Sequence, residues 1–443
     1  MNRTRWLKRF AICVGALCVS LSPFASAQSL LLTNAVIHTV TSGVLTNHAI
    51  SIEGDRIREL PELRADFAAP AGVTVIDLKG QHVYPGIIAL DTGVGLTEIE
   101  AVRATRDSSE VGDYTPDVVS WVAVNPDSEL IPVARANGIA YFQPIPKGNV
   151  VAGQSALMAA SGWTTEEMTF KAPAALHLTW PGMELNTSPM ERTRETGKWK
   201  SLEDQAKERR SRLKSMEDFF EEAKAYAKAA AAKDNGGAVS KVPAWEAMIP
   251  YVRGELPVFV HADEVRQIRS AIGWAATNQI RIAIAGGRDA VRIADLLATN
   301  GVPVIYESIF IQPARDTDAY DLQFSAPELL RQAGVKVAFA FGSGGFANTS
   351  LRNLPYAAAH AIAFGLPQGE ALKALTLHPA EIIGVADRLG SIEAGKLATL
   401  FVSDGSIFDV RSRVTRMWIG GREVSLESRH TRLYERYRNR PSP

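Results

Sequence analysis

Apolar residues along this chain come mostly in short runs closed by glycine or asparagine. Ser29 to Val40, His48 to Glu53 and Val73 to Leu78 read as strands, with Gly43, Gly54 and Gly80 as breakers. The texture returns near the other end, in Ala398 to Val402 and Val414 to Ile419, before a Gly420-Gly421 turn into Arg422-Glu423-Val424. Two β-rich flanks around one central block predict a small β-sandwich domain built from both chain ends, residues 28–85 and 385–430.

The central block repeats one step, a helix that ends near Asn or Gly and feeds an apolar strand. It occurs at Ala136-Asn137-Gly138 before Ile139 to Phe142, at Asn278-Gln279 before Ile280 to Ala285, at Thr299-Asn300-Gly301 before Val302 to Tyr306, and at Ala333-Gly334 before Val335 to Phe341. Asn and Gly tolerate the left-handed conformation that closes a helix, and β-branched runs without strict alternation suit strands buried on both faces. The prediction is an α/β fold, a (β/α)8 TIM-like barrel over residues 86–384.

One segment breaks the repeat. Glu191 to Asn235 is dense in Lys, Arg and Glu, with apolar positions at Leu202, Ala206, Leu213, Met216, Phe220, Ala223 and Tyr226. Spacings of three and four predict a long amphipathic helix packed on the outer barrel wall, a lid or a dimer contact being the alternatives. A homo-oligomer stays open.

Ahead of these elements, Arg3, Arg5, Lys8 and Arg9 precede an apolar run from Phe10 to Leu21 and then Ala25-Ser26-Ala27. A basic start, a run too short for a stable membrane anchor and a small-x-small site predict a signal peptide over residues 1–27 and an exported, periplasmic or secreted protein starting at Gln28. Cys13 and Cys18 both lie inside that run. The exported chain would hold no thiol, so a metal would be bound by His, Asp or Glu. The whole chain balances 48 basic and 48 acidic residues. No nucleic-acid partner is indicated; a small-molecule ligand or substrate is the expected one.

The barrel entry Pro85-Gly86-Ile87-Ile88-Ala89-Leu90-Asp91-Thr92-Gly93, the strand Pro257-Val258-Phe259-Val260-His261, the stretch Leu372 to Gly384, and Leu389-Gly390-Ser391-Ile392-Glu393-Ala394-Gly395-Lys396 resemble the amidohydrolase superfamily, closest to imidazolonepropionase-like members. The resemblance implies a hydrolase of non-peptide C–N bonds, in cyclic amides or related small molecules. It also implies metal ligands: a His-x-His pair at the entry, a Lys or Glu from a middle strand, a His from each of two later strands, and an Asp from the last. Carried over, the entry pair falls on Asp91 and Gly93, one later His on His261, the other on Gly286, and the final Asp on the Gly342-Ser343-Gly344-Gly345 run. No two-metal centre is therefore expected, and a non-catalytic small-molecule-binding pseudoenzyme is the rival reading.

Sites in such barrels are built at the carboxyl ends of the strands. Asp91, Gln143, His177, His261, Gly286 and Glu307 stand there in chain order. Asp91 and His261 are the candidate catalytic pair; Asp91, His261 and Glu307 are the candidate ligands for one divalent ion. Arg288, His177 and Glu307 are candidates for substrate binding, Arg288 because a guanidinium holds a carboxylate bidentately. Asp263 and Glu264, and likewise Arg288-Asp289, are read as helix starts in which carboxylates meet free amides. Glu98, Arg103 and Arg106 either border the pocket or form a salt-bridged surface.

Overall fold

The computed structural model describes residues 29–64, 69–148, 150–192, 196–233, 240–438 and 440. The expected signal peptide, with the start at Gln28, lies outside the described residues. Among them no helix is long and apolar enough to cross a membrane.

Both chain ends do meet in one small domain. A four-stranded sheet runs in the order Arg56–Glu59, Ile50–Glu53, Ser29–Thr33, Thr74–Asp77. A six-stranded sheet runs Arg422–Glu423, Val414–Ile419, Leu400–Ser403, His82–Pro85, Val36–His38, Val44–Leu45. The stretch expected as one strand from Ser29 to Val40 divides between the two sheets, because Asn34 takes a left-handed φ of 52° and turns the chain. Leu30, Leu32, Ile37, Ile50, Ile52, Val83, Leu400, Val402 and Trp418 form the shared core. Alternation explains the packing: Ile50 and Ile52 face inward while Glu53 is exposed.

Pro85 then leads into the barrel. Its strands, in neighbouring order, are Ile87–Thr92, Ile139–Pro144, Val151–Ala159, Thr169–Thr179, Val258–Ala262, Ile282–Gly286, Val304–Tyr306 and Val337–Phe339. A parallel bridge from Thr92 to Gly342 joins the first and last. The expectation of a uniform β–α repeat needs correction at the third strand, which is antiparallel to both of its neighbours. Its connection from the second strand, Ile145 to Val150, is too short for the crossover that parallel strands require. From the fifth strand onward the repeat is regular, and its helices close as the sequence suggests: Gln279, Gly301 and Gly334 all take positive φ.

The charged segment forms a helix at Leu202–Lys233, preceded by short turns at Met190–Arg192 and Thr196–Lys198. The helix thus begins later than Glu191, and its first apolar position, Leu202, is exposed. Met216, Phe220, Ala223 and Ala227 are buried. Phe220 packs edge-on against Trp274 of the Val265–Asn278 helix, with ring centroids 4.7 Å apart. Phe219 sits between Tyr114 and Trp245. The stripe therefore rests on the outer barrel wall, as its periodicity predicts; residues 234 and 235 lie outside the described residues.

Candidate functional site

Asp91, next to last in the first barrel strand, has φ at 50°, a conformation that few non-glycine residues among those described adopt. Asp tolerates it better than most residues, and strained backbone of this kind gathers at functional sites. The turn buries the Asp91 side chain and sets Oδ2 3.5 Å from His261 Nδ1. Glu307 follows the seventh strand and converges on the same point. Asp91, His261 and Glu307 each offer one ligand atom, and the three atoms lie within 4.8 Å of one another.

These carboxylates are under-satisfied. Asp91 Oδ2 and Glu307 Oε1 are buried without a hydrogen-bond partner among the described residues. Burial first, then the neighbouring Asp91 charge, push the Glu307 carboxyl well above the usual carboxylate range. Two carboxylates in one dry place favour either a shared proton or a cation between them.

At the positions where the resemblance implies further ligands, side chains of other elements crowd the space a Cβ would take. A Cβ on Gly93 would stand 2.8 Å from Asn348 Nδ2 and 3.0 Å from its Oδ1. On Gly286 it would meet Asp263 Oδ1 at 2.7 Å, and on Gly342 Glu307 Oε2 at 2.5 Å. Polar side chains from other elements thus fill all three places. Asn348 is the functional neighbour that sequence reasoning missed: it is buried, accepts the Gly93 N–H at 2.8 Å, and leaves Nδ2 without a partner. Only the bare glycine at position 93 hinted that something else filled that space.

Behind the triad runs a buried polar chain. Gln143 Oε1 accepts the Asp91 N–H at 3.3 Å, and Gln143 Nε2 donates to Ser155 Oγ at 2.9 Å. Ser155 Oγ lies 2.7 Å from His177 Nε2, and His177 Nδ1 lies 3.0 Å from His261 Nε2. His177 is only 1% exposed, so it is not the substrate contact that its strand-end position suggests. Burial, then the adjacent His261, hold its pKa well below the ordinary value and keep the ring neutral. Ser155 reaches this chain from the antiparallel third strand.

The rim departs from expectation in several places. Glu264, with Gln267, forms the capping box of the Val265–Asn278 helix. Asp263 does not cap it; its Oδ1 accepts the Arg288 N–H at 3.2 Å. Asp289 does precede the helical turn Ala290–Ile293, as expected, but its carboxylate does not cap that turn: it is buried and gripped by Arg315 Nη1 and Nη2 at 2.9 and 2.6 Å. Arg288 stays outside the triad, its Nε buried without a hydrogen bond and 3.8 Å from Asp289 Oδ1. The Gly342 to Gly345 run meets a carboxylate of this chain: a Cβ on Gly345 would touch Glu100 Oε2 at 2.5 Å. Glu100 also lies 3.9 Å from Arg106, so the loop after the first strand reaches the loop after the last. Arg103 begins an exposed 3-10 turn, and Glu98 Oε1 is buried and unpartnered. A surface hollow of about 620 Å³ along the charged helix, lined by Tyr114, Lys207, Arg210 and Lys214, includes none of the triad.

Residues 258–424 match the amidohydrolase family model. The amidohydrolase tasK of Hapsidospora irregularis is 22% identical over 377 residues, a match that covers 80% of this chain and 37% of that protein. The chain thus spans well under half the length of this curated relative. An amidohydrolase structure from Thermotoga maritima MSB8 superposes with a TM-score of 0.76 at 25% identity, covering 89% of this chain and 99% of that one. A prolidase complexed with N-methylphosphonate-L-proline shares the fold at 18% identity, with a TM-score of 0.54 over 89% of this chain and 99% of that one.

Proposed function

We propose that the chain is a member of the amidohydrolase superfamily and a hydrolase of non-peptide C–N bonds, acting on cyclic amides or related small molecules, with one divalent cation in a re-sorted site. The observation that supports this most is the convergence of Asp91, His261 and Glu307 within 4.8 Å, with two buried carboxylate oxygens lacking any partner. Such orphaned oxygens cost free energy unless a proton or cation meets them, and two carboxylates with one imidazole suit a divalent ion. The N-terminal basic and apolar pattern supports export as part of the same reading.

A cation held there supplies Lewis-acid polarisation and a water of lowered pKa. The chain's own groups do the rest. Asp91 and Glu307 provide the negative charge, and His261 provides Nδ1, since its Nε2 is engaged by His177. Gln143 holds the backbone of Asp91 in its left-handed turn. Asp263, exposed and fixed through one oxygen by the Arg288 amide, is the carboxylate placed to accept the proton of an attacking water. Arg288 brings a half-buried guanidinium to the rim, paired loosely with Asp289 through Nε at 3.8 Å and suited to a substrate carboxylate.

The test is metal content and zinc or manganese calorimetry of the purified protein, followed by hydrolysis assays on a panel of cyclic amides. One tightly held ion per chain, with turnover abolished by a chelator and restored by the metal, is expected. A protein that takes up neither metal and binds panel compounds without turning them over would replace this reading with the pseudoenzyme.

A further inference from the structure

The polar chain behind the triad has a direction that can be read from its donors. Gln143 must donate through Nε2 because its Oε1 already accepts the Asp91 N–H. Ser155 Oγ therefore receives one proton and has its own to give. Two acceptors stand within reach: His177 Nε2 at 2.7 Å and the Ala175 carbonyl at 3.4 Å. Which of them takes it decides on which nitrogen the His177 ring carries its proton, and so whether that ring donates to His261 Nε2 or accepts from it.

In the first state Ser155 donates to His177 Nε2. His177 then carries its proton on Nδ1 and gives it to His261 Nε2, so His261 carries its own on Nδ1, facing Asp91 Oδ2 at 3.5 Å. That arrangement turns an N–H toward the carboxylate and offers no lone pair to a cation. In the second state the hydroxyl turns to Ala175, His177 donates from Nε2 to Ser155, and His177 Nδ1 accepts the Nε2–H of His261. The Nδ1 lone pair of His261 then faces Asp91 and Glu307. No group changes charge between the states: the His177 Nδ1 proton passes to His261 Nε2, the His261 Nδ1 proton leaves to water, and water returns one proton to His177 Nε2, while Ser155 keeps its own as the hydroxyl turns.

We propose that Ser155 and His177 are positioning residues that switch His261 between these tautomers, the first without a cation and the second with one. The inference rests on the cation reading above and adds the device that makes His261 a ligand. Metal-binding imidazoles ordinarily donate their second ring N–H to a fixed acceptor, and losing that acceptor weakens binding about 10- to 100-fold. Here the acceptor is itself an imidazole, so its own tautomer must change first. The small residues of the third strand make this possible: Gly153 pairs with His177 in the antiparallel register, and Ser155 stands two positions further on, opposite Ala175.

Nitrogen-15 NMR of histidine-labelled protein reads both rings directly. In the metal-free protein His177 and His261 should each carry the proton on Nδ1; zinc should move it to Nε2 in both. Ser155→Ala, a small truncation, should keep a melting temperature close to that of the parent yet lower zinc affinity about 10- to 100-fold by calorimetry, while Ser155→Thr, which keeps the hydroxyl, should recover part of the loss. A His177 proton that stays in place while zinc saturates the site, or Ser155→Ala binding zinc as the parent does, would overturn the switch. A different metal-free pattern also overturns it, and leaves the cation reading standing. If the parent shows the first pattern but binds no zinc, the cation reading fails and takes the switch with it.

Discussion

Asp289 and Asp91 are equally hidden from solvent, each about 1% exposed, and both stand at the carboxyl ends of barrel strands. Their surroundings differ. Burial alone would raise the Asp289 carboxyl, but the two hydrogen bonds and the charge of Arg315 outweigh it and hold the group below the usual range. Asp318, hydrogen-bonded by Arg292, extends this network. Asp91 has Glu307 beside it instead of an arginine, and the free oxygens of that pair have no partner. Burial of a carboxylate therefore does not mark a site; burial without a countercharge does.

The strongest break of this comparison is Asp91→Asn. If Asp91 is a ligand, cation affinity should fall at least on the order of 100-fold, about 3 kcal/mol, while the melting temperature holds or rises because a like-charge neighbour of Glu307 is gone. Calorimetry and thermal unfolding measure the two halves; retained affinity with a lower melting temperature would place Asp91 with Asp289 as structural. The reciprocal variant is Arg315→Met. It leaves Asp289 buried without its main partner and should cost about 2 kcal/mol in denaturant unfolding, less than a fully buried pair because Arg315 is partly exposed. Cation affinity should not move.

Gly93→Ala tests the plug at the vacated position. Overpacking against Asn348 should destabilise the protein by about 1–2 kcal/mol, and adding Asn348→Ala should relieve it. Failure of that rescue would mean that the Ser343 carbonyl, also 3.0 Å from the new Cβ, is the real obstacle. The smallest effect concerns a third way to bury an ionisable group, which is to keep it neutral. His38, in the small domain, is lowered from 6.5 to about 4 by burial and then by His82. The unfolded chain takes a proton below 6.5 that the folded one refuses, so this stability is complete above pH 6.5 and is lost as pH falls toward 4. His38→Phe should flatten that part of the stability profile. An unchanged slope would assign the acid sensitivity elsewhere.

Much of the architecture is legible in the sequence because short apolar runs closed by Asn or Gly have few other uses. The third barrel strand is the exception in direction: small residues such as Ala152, Gly153 and Ser155 carry no sign of which way they run. Strand-end position grouped Asp91, His261 and Glu307, whose ligand atoms the structure brings within 4.8 Å of one another. It misled for His177, whose side chain points behind His261 and not into the mouth. The carboxylates of Asp263 and Asp289 were misread for a related reason: both residues stand just ahead of helical turns, but the local rule that such side chains cap the free amides competes with long-range partners, and the Arg288 amide and Arg315 win. Asn348 and Ser155 were out of reach, since which polar group fills a gap is decided only when distant strands close around it.

The small domain has one further consequence, in the order of events at the ribosome. The sheet holding Ile50–Glu53, Ser29–Thr33 and Thr74–Asp77 draws only on early residues and can pair soon after it emerges. His82–Pro85 is different, because one of its neighbours is Leu400–Ser403. At about 5–20 residues per second, that partner arrives some tens of seconds later. Through that interval the strand leading into the barrel has one open edge, and a nascent chain in this condition is a candidate for chaperone capture until its last fifth is made.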